Sequence, residues 1–392
     1  MFAEWEKQKG VVLIYPHKFC GFALNLKEVQ DCYDTIIAKI LKVEDILLIL
    51  HPHDEETKKH IQEVLQTLEG VAYKCHCIEI ESNDVWARDC LPISVKRGKN
   101  TQTITNIANA VLGKGNWQSE NLGFFGRLIE QEKQYAEDEY LHEFGNFGFN
   151  GWGLKYPANL DNQINNQIQK LGFFSNMKLR DMILEGGSID SNGAGMLLTT
   201  AQCLLESNRN PHLTKEQIEE KLKQYLGVST ILWLTRGFLE GDRTTDGHID
   251  TLARFISEDT IVYVQCQDSH DLHFSELQAM EKELEDLASI HNLKLVALPL
   301  CVFKEESSHL DSNKSLIGSD ETLQMRYLPA SYINFLFLNQ KHLLMPIYQK
   351  PTDSLALQIL QRALPDYTIT TVDCKALITQ EGSLHCATMQ FH

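Results

Sequence analysis

Four short segments of the sequence place reactive side chains beside glycine or proline, at the ends of strand-like runs. Loops at strand ends are where folded proteins commonly bring such side chains to a shared site. The sequence therefore predicts one site assembled from distant parts of the chain. The segments are 83–92, 184–189, 246–250 and 381–388.

Cys386 is the candidate nucleophile, since it follows Gly382 and Ser383 and stands beside His385. A thiol attacks as thiolate, which a base or a positive neighbour must promote. His248 is the candidate base, because an imidazole titrates near neutral pH. Each residue also has a plainer interpretation, Cys386 as a buried apolar spacer and His248 as a structural histidine.

Carboxylates accompany these two residues. Asp250 follows His248 by two positions, so in a strand both side chains would face the same side. Asp89 and Glu185 add two more acids. If these groups converge, they suit either a metal ion or a planar cation such as a guanidinium, whose N–H groups carboxylates bind in pairs.

Trp86 could provide an aromatic face for such a cation. The alternatives are that Trp86 is a core aromatic residue, and that Asp89 forms an ion pair with Arg88 or belongs to a turn. The sequence alone leaves these alternatives open.

A metal site is the competing hypothesis for the reactive residues. Cys75, His76 and Cys77 are dense in potential ligands, but they lie in a predicted strand over 71–80. Alternation there sends the two cysteines to one face and the histidine to the other. No second cysteine pair has zinc-type spacing, and Gly113-Lys114-Gly115 lacks the pattern of a phosphate-binding loop. We therefore expect no metal and no cofactor.

Composition narrows the class of protein. The chain has 392 residues, 43% of them apolar and 23% charged, which is typical of a globular protein. Its net charge of −17 argues against nucleic-acid binding and would concentrate cations, although it also simply favours solubility. The ten cysteines show no paired framework, and we find neither a membrane span nor a signal peptide. We expect a cytoplasmic protein and leave the oligomeric state open, a homo-oligomer included.

Strand-like and helix-like stretches alternate, which predicts an α/β protein of several small modules. Residues 11–15 and 45–50 form apolar strand-like runs, and 26–41 carries apolar residues at helical spacing. Residues 187–200 predict a hairpin around Asn192-Gly193. The polar, acidic segment 109–146 is expected to be an insertion with its own helix near 126–142, either a lid or a solvated surface helix.

Together these segments resemble the agmatine deiminase and Porphyromonas-type peptidyl-arginine deiminase family, within the guanidino-group-modifying superfamily. The likeness runs in order along nearly the whole chain. It is carried by residues 4–10, 83–92, 147–153, 185–188, 245–250, 329–334 and 385–386.

The resemblance implies a single catalytic domain over 1–392, a five-module pseudo-symmetric α/β propeller with the active site on its central axis. Anchor segments near residues 89, 185, 248, 331 and 386 would then come one from each module.

The resemblance also implies roles for the site residues. Cys386 would be the nucleophile and His248 the general acid and base, while Asp89 and Asp250 would grip the guanidinium nitrogens. Glu185 would assist by orienting His248 or binding substrate. Trp86 would line the substrate channel.

The implied reaction is hydrolysis of agmatine to N-carbamoylputrescine and ammonia through a covalent thiouronium intermediate on Cys386. Such an enzyme takes part in polyamine metabolism, as a step of putrescine biosynthesis. The alternative substrates are peptidyl-arginine or free arginine, giving citrulline; free arginine would need a cation for its carboxylate, with Arg88 and Arg243 as candidates. A remote alternative is a non-catalytic binding protein of the same fold.

Overall fold

The computed structural model describes residues 1–98, 140–306 and 325–392. This part of the chain is a mixed α/β fold of short strands and single helices. The strands are β1 (Gly10–Ile14), β2 (Asp45–Leu50), β3 (Cys75–Glu79), β4 (Ile93–Gly98), β5 (Tyr140–Gly148), β6 (Met177–Ile183), β7 (Ile189–Ser191), β8 (Met196–Thr200), β9 (Thr230–Leu234), β10 (Ala253–Ser257), β11 (Thr260–Gln265), β12 (Lys294–Pro299), β13 (Phe303–Glu306), β14 (Met325–Leu328), β15 (Leu336–Leu338), β16 (His342–Ile347), β17 (Thr368–Asp373) and β18 (Thr388–Phe391). The α-helices are α1 (Leu26–Ile40), α2 (Glu55–Thr67), α3 (Ala87–Cys90), α4 (Ile164–Lys170), α5 (Ala201–Leu204), α6 (Lys215–Leu226), α7 (Phe274–His291) and α8 (Asp353–Ala363). A further short turn, Gly151–Leu154, departs from helical backbone angles at Trp152 and Gly153.

Within the described ranges, five sheets repeat one topology. In each, a first strand pairs antiparallel with a second, and the second pairs parallel with a third. The strand orders are β18-β1-β2-β3, β4-β5-β6, β7-β8-β9, β10-β11-β12 and β15-β16-β17, where only the first sheet has a fourth strand. Parallel neighbours need a crossover connection, and α1, α4, α6, α7 and α8 provide it. Strands β13 and β14 form a separate hairpin.

The predicted elements fold for the reasons that the sequence suggests. The apolar residues predicted for one face of α1 are buried, among them Val29, Tyr33 and Ile36. Strand β2 is buried after its first residue, as expected for a strand between parallel neighbours. The predicted hairpin around Asn192 is confirmed as β7 and β8.

Two sequence predictions need correction or fall outside the structure. The predicted insertion 109–146, with its helix near 126–142, lies outside the described residues except for 140–146. Those residues begin β5, which pairs with β4 and β6, so this end of the segment belongs to a sheet rather than to an insertion. The strand predicted over 71–80 is shorter and covers Cys75–Glu79.

The repeat explains how the site is positioned. In each of the five sheets, a tight loop or turn leads into the first strand, which is the antiparallel one. Each of these loops carries at least one reactive or polar side chain. Ordered by sheet, the loops hold Cys386 before β18, Asp89 before β4, Glu185 before β7, His248 and Asp250 before β10, and Asn334 before β15.

Candidate active site

Cys386 lies at the buried end of the loop before β18, with its side chain held by Asn334. The Asn334 Nδ2 donor lies 3.3 Å from the Cys386 sulfur. The same amide is fixed in turn, because its oxygen accepts a 2.8 Å hydrogen bond from the backbone N–H of His385. Asn334 therefore orients the sulfur and offers a donor to any negative charge that develops on it.

The thiol faces anions rather than cations. Its sulfur is 3.6 Å from Asp250 Oδ2. Burial, followed by the charges of Asp250 and Asp89, raises the pKa of Cys386 well above its usual range. The thiol is therefore protonated before a substrate arrives, and a bound cation would offset the two negative charges and favour the thiolate.

Three predicted residues meet around one glycine. A Cβ built on Gly187 would lie 2.6 Å from His248 Nδ1, 2.9 Å from Asp89 Oδ1 and 3.1 Å from Asp250 Oδ2. Only glycine lets the chain approach these groups so closely. Its backbone N–H donates to Asp89 Oδ1 at 3.0 Å, while Trp152 Nε1 donates to Asp89 Oδ2 at 2.9 Å.

His248 is fully buried between two carboxylates but is held loosely by both. Its Nε2 is 3.4 Å from Glu185 Oε2, and its Nδ1 is 3.8 Å from Asp89 Oδ1. Burial lowers the pKa of His248, but the negative charge of Asp89, the thiol of Cys203 and the hydrogen bond to Glu185 outweigh burial and hold it well above its usual value. The ring can therefore act as an acid at neutral pH.

Two buried polar atoms in this group have no hydrogen-bond partner among the described residues. They are His248 Nδ1 and Asp250 Oδ1. Buried polar atoms are rarely left unpaired, and a ligand with N–H donors would satisfy the carboxylate oxygen directly. Both atoms are therefore available to hydrogen-bond a ligand.

Glu185 is fixed by a buried arginine. Arg209 Nε lies 2.8 Å and 3.0 Å from the two carboxylate oxygens, and both side chains are inaccessible to solvent. Burial raises the pKa of Glu185, but the hydrogen bond to His248 and the charge of Arg209 lower it overall, so the group is anionic.

Ligand atoms of Glu185, Cys203 and His248 lie within 4.8 Å of one another, close enough to hold a metal ion. The Arg209 guanidinium already occupies the Glu185 carboxylate, and burial raises the pKa of the Cys203 thiol. A cation here would meet a positive neighbour and a protonated sulfur, so these residues do not fit a metal.

Beneath the site, His385 joins Asp250 to a buried charge network. Its Nδ1 is 2.7 Å from Asp250 Oδ2, and its Nε2 is 2.7 Å from Glu4 Oε1. Glu4 also pairs with Arg88 Nη1 at 3.0 Å and with Arg254. Although burial raises the pKa of Glu4, Arg254, His385 and Arg88 together hold it well below its usual value.

A cavity of about 250 Å³ opens beside these groups. Aromatic rings and polar side chains form its wall. The lining residues are Asp84, Trp86, Trp152, Tyr156, Thr244, Arg326, Thr379, Gln380 and Glu381. Trp152 connects the cavity wall to the buried acids, because its indole N–H donates to Asp89 Oδ2.

The structure brings all six sequence-predicted residues to one place. Contacts link Cys386, Asp250, His248, Asp89 and Glu185, and Trp86 lines the adjoining cavity. One local expectation is wrong, because His248 and Asp250 do not lie in a strand. They flank and occupy the 3-10 turn Ile249–Thr251, whose tight curvature brings both side chains to the site.

The alternative interpretation of Asp89 as the ion-pair partner of Arg88 is also wrong, because Arg88 binds Glu4.

Sequence reasoning gave no role to several residues that help to form the site. Glu4, Trp152 and Asn334 stand in segments that carry the family resemblance, which was the available signal for them. No short-range pattern distinguishes Arg209. The overlooked residues are Glu4, Trp152, Gly187, Arg209, Asn334 and His385.

Comparison with known proteins identifies the family. The family model described as Porphyromonas-type peptidyl-arginine deiminase matches residues 1–391. The agmatine deiminase of Pseudomonas syringae pv. syringae is 28% identical over 397 aligned positions, covering 100% of this chain and 94% of the relative.

Solved structures agree with the family match. A substrate-bound C315S agmatine deiminase of C. jejuni is 30% identical, with a TM-score of 0.77, and the alignment covers 100% of this chain and 95% of that one. The agmatine deiminase of Enterococcus faecalis is 25% identical, with a TM-score of 0.73 and the same coverage. The chain thus belongs to the Porphyromonas-type peptidyl-arginine deiminase family.

Proposed function

We propose that this protein is a hydrolase of linear amidines that converts agmatine to N-carbamoylputrescine and ammonia through a covalent intermediate on Cys386. One observation carries the proposal: a buried thiol lies within 3.6 Å of a carboxylate in a group of three acids and one histidine. Such a group would bind a planar cation such as a guanidinium and hold its central carbon where the sulfur can attack it.

Asp89 and Asp250 are proposed to bind the guanidinium nitrogens. Among the described residues, Asp250 Oδ1 has no hydrogen-bond partner, and Asp250 Oδ2 lies 3.6 Å from the Cys386 sulfur. The two acids approach each other around Gly187, so a planar cation between them would be held edge-on to both. Its charge would also promote ionisation of the Cys386 thiol, because it offsets the two anions that disfavour the thiolate.

In the first half-reaction, the Cys386 sulfur forms a bond to the guanidinium carbon. His248 gives its proton to the leaving nitrogen and receives the thiol's proton in exchange. The carbon–nitrogen bond breaks, ammonia departs, and a positively charged thiouronium remains on the sulfur. Splitting the hydrolysis in this way replaces one difficult step with two easier ones.

In the second half-reaction, a water molecule attacks the thiouronium carbon as the carbon–sulfur bond breaks. The oxygen of water becomes the carbonyl oxygen of the urea product. His248 accepts a proton from the attacking water. Of the two water protons, one restores the thiol and the other passes from His248 to solvent, where it can protonate the ammonia released earlier. Glu185, fixed by Arg209, keeps the His248 ring oriented for both proton transfers.

The relatives named above act on agmatine, and a chain of net charge −17 favours a doubly charged amine. Citrulline-forming activity on free arginine would require a cation for the carboxylate. Arg88, one predicted candidate, is buried in the network with Glu4. Arg326, which lines the cavity, is paired with Glu381 at 2.6 Å.

The repeated sheets support a further proposal about the fold. Five sheets of one topology each contribute a loop to the site, which is the arrangement expected if five modules surround a pseudo-five-fold axis in a single domain. We also keep the prediction of a cytoplasmic protein. Within the parts of the chain that are described, no helix has the length and apolar character needed to cross a bilayer.

The experiment is a parallel assay of ammonia and ureido product from agmatine, free arginine and an arginine-containing peptide, with Cys386→Ala as the control. Activity on agmatine that disappears in the variant supports the proposal. Citrulline formation from arginine or the peptide, without activity on agmatine, would move the substrate to the alternatives. Activity on none of the three would refute the proposed reaction.

A further inference from the structure

The cavity beside the catalytic group has a polar mouth whose charges are unevenly balanced. Two acids, Asp84 and Glu381, and one cation, Arg326, line it together with the rings of Trp86 and Trp152. The question is which of these groups is available to a substrate.

The walls between the mouth and the catalytic group are aromatic and held in place. Trp152 donates to Asp89 and packs edge-on against Tyr156, with ring centroids 5.8 Å apart. Trp86 lies against Gly382, where an added Cβ would come within 2.2 Å of the indole ring, and it contacts Phe22 on another side. Such walls suit an aliphatic chain that leads outward from a guanidinium held at Asp89.

Glu381 is already neutralised. Arg326 pairs with one of its oxygens at 2.6 Å. The other oxygen accepts hydrogen bonds from the Arg243 backbone N–H at 3.0 Å and from the Thr244 hydroxyl at 2.8 Å. Neither Glu381 nor Arg326 therefore offers a free charge to a ligand.

Asp84 is the opposite case. It accepts a 2.9 Å hydrogen bond from the Val85 backbone N–H and another from the backbone of Gly21, but no cationic side chain of the described residues pairs with it. Burial raises its pKa to about 6, so the carboxyl is ionised at neutral pH without a counter-ion. A partly buried carboxylate without a cationic partner is costly unless a cation binds it.

The position of Asp84 is fixed by its own loop. The backbone N–H groups of Asn83 and Asp84 donate to Asp161 Oδ1 at 2.6 and 3.4 Å. Asn83 Oδ1 in return accepts from the backbone N–H of Leu160 at 2.8 Å. These hydrogen bonds hold the Asp84 carboxylate in a preorganised position at the mouth.

We infer that Asp84 binds the distal ammonium group of the substrate, with the tetramethylene chain of agmatine running between the Trp86 and Trp152 rings. This inference rests on the proposed function. It makes Asp84 the residue that separates a guanidine with an aminoalkyl tail from one with an uncharged tail.

The test compares agmatine with 1-butylguanidine, which has the same chain but no amine. Their dissociation constants are measured by calorimetry in a Cys386→Ala background, with and without Asp84→Asn, and their turnover is measured with the thiol intact. In the binding measurement, Asp84→Asn raises the dissociation constant of agmatine by about 10- to 100-fold, the range for a hydrogen bond to a charged group. Affinity for 1-butylguanidine stays within about threefold.

Asp161→Asn is the matched control, since it removes a neighbouring carboxyl group that faces the loop rather than the cavity, while the amide oxygen can still accept the backbone hydrogen bonds of Asn83 and Asp84. It should affect both ligands alike. If the Asp84→Asn protein has a markedly lower melting temperature than the protein with Asp84 intact, Asp84→Ser is used in place of Asp84→Asn. The wild-type preference for agmatine should also weaken as the pH falls below about 6.

The outcomes separate the two claims. An Asp84-dependent preference for agmatine in binding, without turnover, retains the ammonium site and refutes the proposed reaction. If agmatine is turned over, and Asp84→Asn leaves the preference for agmatine over 1-butylguanidine unchanged, the reaction is retained and the ammonium site is overturned. Equal losses for both ligands also overturn the site, because they indicate a purely structural role. No binding of either ligand overturns both.

Discussion

His248 and His385 are both buried and both lie between two carboxylates, but their hydrogen bonds differ. Both ring nitrogens of His385 lie 2.7 Å from an acid, Asp250 on one side and Glu4 on the other. The nitrogens of His248 are 3.4 and 3.8 Å from Glu185 and Asp89. The first ring is fixed in place, whereas Nδ1 of the second has no hydrogen-bond partner in the described parts of the chain and can exchange a proton.

The difference indicates separate roles for the two histidines. A ring engaged at both nitrogens cannot transfer a proton without breaking a short hydrogen bond, so His385 is suited to positioning Asp250 and the adjacent Cys386. A loosely held ring with a raised pKa is suited to giving a proton to a leaving group and taking one back. Five substitutions test this contrast.

The largest effect is expected from His248→Asn, which removes the proton-transferring ring. We expect kcat for agmatine to fall by about 10²- to 10⁴-fold, the usual contribution of general acid–base catalysis. Substrate binding should change little, because Asp89 and Asp250 remain. The measurement is steady-state ammonia release together with the binding of agmatine; a variant with wild-type kcat would contradict the assignment.

Glu4→Gln tests whether the network under His385 holds the fold. Without the carboxylate, Arg88 and Arg254 remain buried with less compensation, which should lower the free energy of unfolding by about 3–5 kcal/mol in urea denaturation at neutral pH. Glu44→Gln is the matched control. Glu44 is also buried, but burial raises its pKa to about 8, so it is largely neutral and its replacement should cost little.

The pH dependence of this effect has a definite sign. The pKa of Glu4 is lower in the folded protein than in the unfolded chain, so its charge stabilises the fold above the unfolded value. That stabilisation is lost as the pH falls through the folded-state pKa. The difference between wild type and Glu4→Gln should therefore narrow in acid, and an unchanged difference would contradict the account.

His385→Gln should have a smaller effect on catalysis than loss of His248. The glutamine amide can engage only part of the contacts to Asp250 and Glu4, so the carboxylate and the sulfur lose their alignment. A displacement of about 1 Å can cost about 100-fold in rate, which we take as the expected loss in kcat. The pH profile of Cys386 alkylation should change shape too, because Asp250 is the charge nearest the sulfur.

The smallest effect concerns pH alone. The hydrogen bond to Glu185 raises the pKa of His248, so Glu185→Gln should lower that pKa and move the alkaline fall in activity to lower pH.

Asp250→Asn should lower the pKa of Cys386, so that iodoacetamide reacts several-fold faster at pH 8. In the unmodified protein, the alkylation rate should keep rising above neutral pH. A plateau at or below pH 7 would instead indicate a resting thiolate–imidazolium pair.

The same two histidines show how far sequence carries the argument. His248 stands in a glycine-flanked segment with an acid two positions away, a pattern that predicts a reactive group from local chemistry. His385 is adjacent to the predicted nucleophile, yet its partners are 135 and 381 positions distant. Local patterns predict which residues can react, whereas contacts at such separations depend on how the sheets assemble.

The fold divides in a similar way. Helix α1 and the β7–β8 hairpin follow from periodicity and turn chemistry, since their signals lie within a few residues. The common topology of five sheets does not, because β18, near the end of the sequence, pairs with β1 near its start. Arg209 is another such case, since its role depends on the distant Glu185 and Asp246.

The most direct test of the central claim is to trap the covalent intermediate. Rapid acid quenching of the enzyme with excess agmatine, followed by intact-mass and peptide analysis, should show a thiouronium adduct on the peptide that contains Cys386. The adduct should be absent in Cys386→Ala, which should also release no ammonia. Ammonia release by Cys386→Ala at the wild-type rate, with no adduct on the native thiol, would contradict the account.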